Sequence, residues 1–321
     1  MAIKKYDITA LGEILIDFTY AGKSERGTVL FEQNPGGAPA NVLSAVAKLG
    51  GQAAFIGKIG KDMHGAFLKA TLINNGIDVK ALTETDEAFT TLAFVALDER
   101  GDRSFSFARK PGADTQLTAD EVDLELIESS RIFHIGSLSL TDEPARCATL
   151  SALRYAKEKG LIISYDPNYR AALWKSREAA IDGMKLPIPY TDIIKISDEE
   201  TELLTGERSE REAAKRLLSE GVSCVIVTMG AKGAYVATKT AEVYSEAIDS
   251  PVVDTTGAGD AFMGGFLYKV LESGKRAFEL DKKIITDFAR FANATAALCV
   301  GKRGGINAMP SKKEVENLLS K

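Results

Sequence analysis

The stretch from Val253 to Leu271 reads VDTTGAGDAFMGGFLYKVL, which sets two glycines, Gly257 and Gly259, and a carboxylate, Asp260, directly ahead of an apolar run of helical length. Glycine lets a backbone come close to a ligand, and the first turn of a helix offers unpaired N–H groups at the positive end of its dipole. Such a place suits an anion. A carboxylate there either caps the helix or acts chemically, and Gly257, Ala258 and Gly259 beside Asp260 match what phosphoryl transfer requires: amides for developing charge and a base for an attacking hydroxyl. On these residues alone, a plain glycine turn capped by Asp260 remains open.

A second glycine cluster, NPGGAPANVLSAVAKLGG at 34–51, also opens a helix, with Asn41 in its first turn. A hydroxylated ligand needs close backbone approach and a few fixed donors and acceptors, and GGAPAN has both; a tight turn with a helix cap would use the same residues. Other chemistries lack their residues. GxxxxGK[ST] is absent because Ile59 follows Lys58, and GxGxxG fails where Phe262 stands in place of the third glycine. His64 and His134 are the only histidines, and neither CxxC nor GxSxG occurs, which excludes histidine-rich metal sites, redox pairs and the usual hydrolase triad. His134, inside RIFHIGS, reads as a packed core histidine.

Elements must bring these segments together. Short β-branched runs at 6–12, 53–60, 131–137, 161–167, 192–197 and 224–230 alternate with helical patterns at 40–49, 62–75, 142–159, 199–205, 209–220, 259–273 and 281–300. This predicts an α/β fold with a mainly parallel central sheet and helices on both faces. Ligands of open α/β sheets bind at the carboxyl ends of strands, so Gly12, Asp166, Ser197, Thr228 and Gly230 are expected around one crevice. Two stretches break the rhythm, 17–34 and a hairpin at 91–110 with a charged turn from Asp98 to Arg103. Together they are expected to form a small antiparallel lid, inserted at about 17–35 and 88–110 of a single domain spanning 1–321.

Composition narrows the partners. The chain of 321 residues carries 40 Lys and Arg against 45 Asp and Glu, a net charge of −5. With a pI near 5.4 there is no basic surface for nucleic acid or an acidic membrane. Cys147, Cys224 and Cys299 lie in apolar runs, predicting buried free thiols in a reducing compartment. The amino-terminal segment has no signal-peptide pattern and no apolar run is long enough to span a bilayer, so a cytoplasmic location is expected.

Through GGAPANVLSAVAKLG early and DTTGAGDAF late, in that order, the sequence resembles the ribokinase-like (PfkB) carbohydrate kinases along nearly its whole length. PGGAPAN, SFSFARKPGADTQL (104–117), DPNYRAALW (166–174) and KISDEE (195–200) look most like fructokinases. The resemblance implies a three-layer ribokinase-like fold with a β lid, and ATP-dependent phosphorylation of a sugar hydroxymethyl group, for fructose at the 6-position. Asp260 is then the base and Gly257, Ala258 and Gly259 the anion hole. Asp17, Gly36, Gly37 and Asn41 match sugar-binding positions, Phe107 and Arg109 lid residues over the substrate, and Arg170 a substrate-side arginine. Thr228, Gly230, Lys232 and Gly233 match a nucleotide turn, and Asn293 an adenine-side position, although an asparagine in a helix can equally satisfy a neighbouring carbonyl. Ser197 replaces the asparagine of the family's NxxE motif and Glu200 is retained for hydrated Mg²⁺, with a solvated helix start as its alternative. A K⁺ site is implied at Asp254, Thr256, Cys299, Lys302 and Gly304, largely through carbonyls; Ala308 stands where ribokinases carry serine. A homodimer through the lid is the implied assembly. The competing readings are a 2-keto-3-deoxygluconate kinase of the same family and a non-catalytic sugar or nucleotide sensor.

Overall fold

A computed structural model describes residues 4–97 and 103–320. Strands β1 (Tyr6–Leu11), β2 (Leu15–Lys23), β3 (Val29–Gly36), β4 (Ala53–Gly60), β5 (Ile77–Thr85), β6 (Leu92–Leu97), β7 (Arg103–Ala108), β8 (Ser130–Ile135), β9 (Ile162–Tyr165), β10 (Ile193–Ser197), β11 (Cys224–Thr228), β12 (Ala234–Thr238) and β13 (Glu242–Ser245) form two sheets. The central sheet has nine strands in the order β13-β12-β11-β10-β9-β8-β1-β4-β5. Its pairings are parallel except at one edge, where β12 and β13 turn back antiparallel.

The helices are α1 (Ala38–Lys48), α2 (Met63–Asn74), α3 (Leu124–Glu128), α4 (Ala145–Glu158), α5 (Arg177–Lys185), α6 (Asp198–Thr205), α7 (Glu210–Ser219), α8 (Ala258–Ser273), α9 (Lys282–Val300) and α10 (Lys312–Leu319). Those from α3 to α7 share one core with Phe133, Ile163, Ile194, Ile196 and Val225. On the opposite face α1, α2, α8 and α9 share a second core with Ile132, Ile162, Ile193, Cys224 and Ile226. Alternate strand residues thus feed alternate cores, and because both faces are covered the strands read as continuous apolar runs. Among the described residues no helix is long and apolar enough to cross a membrane.

The second sheet has the order β3-β2-β6-β7 and draws on both predicted insertions. It differs from the expected antiparallel lid in one pairing: β2 runs parallel to β6, with Ile16 opposite Leu92. The cause is topological. Strand β2 continues outward from β1, and β6 from β5, and β1 and β5 run the same way in the central sheet. Residues 98–102, which carry most of the predicted charged turn, lie outside the described residues. A further correction concerns Cys147, which is exposed on α4, whereas Cys224 and Cys299 are buried as expected; all three are free.

Candidate active site

The site is assembled where α8 begins. Gly257, its N-cap, has φ 76°, a left-handed conformation that glycine adopts without strain, and a Cβ there would come 3.0 Å from Gly305 Cα. Asp260 occupies the third helical position and is buried. Its Oδ2 accepts a 2.7 Å hydrogen bond from Asn41 Nδ2, so the side chain is not the cap of its own helix. Asn168, at φ 47°, approaches Oδ1 with Nδ2 at 3.5 Å. The Ala258 N–H closes a turn onto the Thr255 carbonyl at 3.2 Å. The Gly257 and Gly259 N–H groups lie at the open helix end, where no intrahelical carbonyl precedes them.

The other glycine cluster faces this one. Gly37 caps α1 at φ 114° with no side chain, and Glu13, from the turn after β1, fills that role by accepting the Ala38 N–H on Oε1 at 3.0 Å. A Cβ on Gly37 would stand 2.5 Å from the Glu13 carbonyl, and one on Gly36 would run into the Asp17 carboxylate. The first turn of α1 then carries Asn41 to Asp260. Asp17 extends from β2 into the same cavity, of about 260 Å³, whose walls include Gly37, Asn41, Phe107, Arg170, Asp254, Thr256, Gly257, Ala258, Gly259, Asp260 and Gly304.

Electrostatics mark the two acids. Burial pushes the Asp260 carboxyl up to about 6, with Asp166 adding to the rise while Lys195 and the Asn41 hydrogen bond oppose it. Asp17 is also raised to about 6, by burial first, with Arg170 opposing and Asp254 and Asp260 reinforcing. Both are ionised at pH 7.5 and both protonate within the mildly acidic range.

Arg109 departs from its expected place. Its guanidinium is buried outside the cavity wall, 2.6 Å from Asp114, and donates to Thr141 Oγ1 at 2.8 Å and to the Leu138 carbonyl at 2.9 Å. Thr91 Oγ1 donates to the same Asp114 at 2.5 Å, so both roots of the β6–β7 hairpin converge on one carboxylate. Arg109 braces the second sheet against the core instead of covering the cavity.

The nucleotide-side residues gather at the ends of β10 to β12. Ser197 and Thr228 stand opposite each other in register. Gly230 and Gly233 have φ 54° and 93°, and the Met229 N–H donates to the Gly233 carbonyl at 2.8 Å, shaping the turn that carries Lys232. Lys232 borders a shallow depression with Asp198, Glu199, Arg208, Glu210, Met229 and Tyr244. Glu200 is not a solvated helix start: it is buried, and its two oxygens accept the Ser197 N–H at 2.8 Å and the Tyr169 N–H at 2.6 Å. Asn293 uses Nδ2 on the Ser245 and Glu246 carbonyls, at 3.1 and 2.9 Å. It thereby pins the segment that passes against Gly233.

The segments of the implied cation site are also together. Asp254 Oδ1 accepts from the Thr256 N–H and hydroxyl, and its Oδ2 accepts the Gly304 N–H at 3.0 Å, which ties loop 253–257 to loop 299–305. Cys299 Sγ lies 3.9 Å from the Thr256 carbonyl, while the Lys302 ammonium turns away to Glu314. Among the described residues no group of three or more His, Cys, Asp and Glu side chains can hold a metal ion.

Sequence reasoning passed over Lys195, Glu13 and Asn168, all of which line the cavity. Lys195 carried a signal: a charged residue between the apolar Ile194 and Ile196 of a core strand requires a buried partner, and Asp166 stands near the end of the segment LIISYDP. Glu13 carried none beyond its adjacency to Gly12.

Comparison with known proteins agrees with this geometry. The family model for pfkB family carbohydrate kinases matches residues 5–312. Fructokinase-1 of Zea mays is 42% identical over 324 residues, covering 100% of both chains, and probable fructokinase-4 of Arabidopsis thaliana is 42% identical over 97% of this chain and 96% of its own. The crystal structure of a Xylella fastidiosa fructokinase with bound ATP superposes with a TM-score of 0.91 at 34% identity, over 98% of each chain. A Vibrio cholerae fructokinase bound to fructose, ADP and calcium gives 0.86 at 32% identity, over 98% of this chain and 99% of that one. The chain belongs to the pfkB family of carbohydrate kinases.

Proposed function

We propose that this kinase transfers the γ-phosphoryl group of ATP to the 6-hydroxyl of D-fructose, giving fructose 6-phosphate and ADP. The observation that carries the reading is Asp260, held by Asn41 at 2.7 Å beside the open amides of Gly257 and Gly259, in one cavity with Asp17 and Arg170. Full-length relatives named fructokinase supply the sugar. The sugar O–H gives its proton to Asp260, its oxygen bonds to the γ-phosphorus, and the bond to the bridging oxygen breaks with its electron pair leaving on ADP. Charge on the transferring group meets the Gly257 and Gly259 N–H groups, which are fixed before the reaction and need no reorganisation.

Asp17 accepts a sugar hydroxyl, Gly36 and Gly37 let the ring approach the backbone, and Phe107 and Arg170 close the substrate side. Phe107 lines the cavity with no hydroxyl to offer an acid substrate, which favours a neutral sugar over 2-keto-3-deoxygluconate. The nucleotide lies along Thr228, Gly230, Lys232 and Gly233, with Asn293 ordering the adjacent segment. Bound Mg²⁺ supplies neutralisation of phosphate charge; each Glu200 oxygen accepts one main-chain N–H and keeps a lone pair for metal-bound water. K⁺ suits the Asp254–Gly304 junction through the carbonyls of loops 253–257 and 299–305. The second sheet acts as the lid that excludes water, and its exposed Tyr20, Leu30 and Phe31 suit pairing with a second copy.

The test is ADP release with MgATP against fructose, 2-keto-3-deoxygluconate, ribose, glucose and adenosine, with and without K⁺, beside Asp260→Asn. Fructose-dependent turnover that Asp260→Asn lowers by about 10²–10⁴-fold supports substrate and base together. Preference for 2-keto-3-deoxygluconate would keep the family chemistry and replace the sugar; ATP binding without turnover on any sugar would support the sensor.

A further inference from the structure

Lys195 is the one charged residue of β10, and its neighbours Ile194 and Ile196 are fully buried. The lysine itself is 5% exposed, and its side chain points to the face that carries α1 and α8. Nζ lies 2.7 Å from Asp166 Oδ2, and Asp166 is wholly buried with its Oδ1 unpartnered. Among the described residues that carboxylate is the only hydrogen-bond acceptor of the ammonium, so two of its three protons remain for another acceptor. A Cβ added to Gly259 would stand 3.0 Å from Nζ, which places the ammonium against the first turn of α8. It lines the cavity together with Gly257, Gly259 and Asp260.

As a device for stability this arrangement is poor. A cation at a helix N-terminus opposes the dipole, and a buried ion pair is commonly no better than apolar residues of the same volume. The same arrangement becomes favourable once an anion enters between the ammonium and the helix end. We propose that Lys195 is a catalytic residue, the cationic member of the anion hole, donating a hydrogen bond from Nζ to a non-bridging oxygen of the phosphoryl group in transfer while Asp166 holds it in place. The inference rests on the phosphoryl-transfer reading above. Lys195 keeps its protons throughout; the proton of the sugar hydroxyl still passes to Asp260.

The experiment compares the wild type with Lys195→Met, Lys195→Arg, Asp166→Asn and the double variant Lys195→Met/Asp166→Asn, in steady-state turnover with fructose and MgATP, ATP binding by titration calorimetry, and thermal melting. The double variant removes the cation without stranding a buried carboxylate, and so stays folded if Lys195→Met alone does not. Lys195→Met and the double variant are expected to lose about 10²–10³-fold in kcat, the loss associated with removing one oxyanion donor, with the KM for fructose little changed and partial recovery in Lys195→Arg. A second readout checks that the cation acts on the electrostatics of the site. The groups facing Asp260 are Asp166, Lys195, Asn41, Asn168, Arg170, Asp17 and the Cys299 thiol. Removing the cation moves the acid limb of kcat/KM to higher pH, and Asp166→Asn moves it to lower pH. Turnover of a folded Lys195→Met or double variant within about threefold of wild type, or a loss confined to the KM for fructose, overturns the proposal alone. Absence of sugar-dependent turnover in the wild type overturns the parent reading, and this inference with it.

Discussion

Asp260 concentrates the chemistry of the molecule in one side chain, and its environment makes two predictions. With its carboxyl raised to about 6, chiefly by burial, kcat/KM for the sugar should fall on an acid limb centred near that pH and be flat from pH 7 to 8. A pH–rate profile under saturating MgATP checks this. The same shift bears on stability. The folded carboxyl holds its proton more tightly than an unfolded one, so its contribution favours the fold below the ordinary carboxylate pKa of about 3.9 and is lost as pH rises through about 6. Asp260→Asn should therefore raise the melting temperature by roughly a few degrees at pH 8 and much less at pH 4. Equal shifts at both pH values would mean the burial cost has been misread. Gly36 offers a steric counterpart: a methyl there meets the Asp17 carboxylate. Gly36→Ala should raise the KM for fructose at least tenfold while leaving ATP binding intact, as measured by turnover and calorimetry in parallel.

At the scale of elements, α1 matters most because it connects the sugar side to the base. It begins at a glycine with no capping side chain, and Glu13 reaches from the β1–β2 turn to satisfy the Ala38 N–H. Burial raises the Glu13 carboxyl to about 7, with Asp114 adding to the rise and Arg109 opposing it. Glu13→Ala removes the acceptor and should cost about 1–3 kcal/mol of stability, together with a weaker hold on Asn41 and hence lower kcat. Glu13→Gln keeps an acceptor oxygen and should retain most of both. Chemical denaturation and turnover on the two variants decide the matter, and similar behaviour of Ala and Gln would show that the cap does not matter. Elsewhere Asp114 serves two elements at once, receiving Thr91 from the start of β6 and Arg109 from just beyond β7. Through it the second sheet is fixed at its roots while its far end extends into solvent.

Across the whole molecule, two sheets meet at the cavity. The central sheet and its helices bury the cores; the second sheet has exposed apolar residues, including Tyr20, Val29, Leu30 and Phe31. A sheet with few core contacts opens at low free-energy cost. Fructose should therefore slow amide hydrogen exchange in β2 and β6 and leave β8 and β9 unchanged, because those strands are protected with or without ligand. Exchange measured by mass spectrometry with and without the sugar tests this, and protection spread evenly over the central sheet would argue against a moving lid.

Much of this was legible in the chain. The core strands of the central sheet and the helices α1, α2, α4 and α6 to α9 follow from apolar periodicity, and Gly257, Gly259 and Asp260 from the chemistry of helix starts. Strands β5 and β13 and helix α3 were not foreseen, because IDVKALTET and EVYS mix charge with apolar residues at the sheet edges and α3 has only five residues; β12, α5 and α10 were missed as well. The sequence by itself determined which residue types can bind an anion, accept a proton and let a sugar approach, since these depend on side-chain chemistry and local backbone freedom. Only the tertiary structure decided that Asn41 holds Asp260 across 219 residues of chain, that Lys195 meets Asp166 beneath the start of α8, and that Arg109 is drawn away to Asp114. A hydrogen bond or ion pair forms between whichever groups the packing of sheets and helices brings within about 3 Å, and that distance is a property of the fold, not of spacing along the chain.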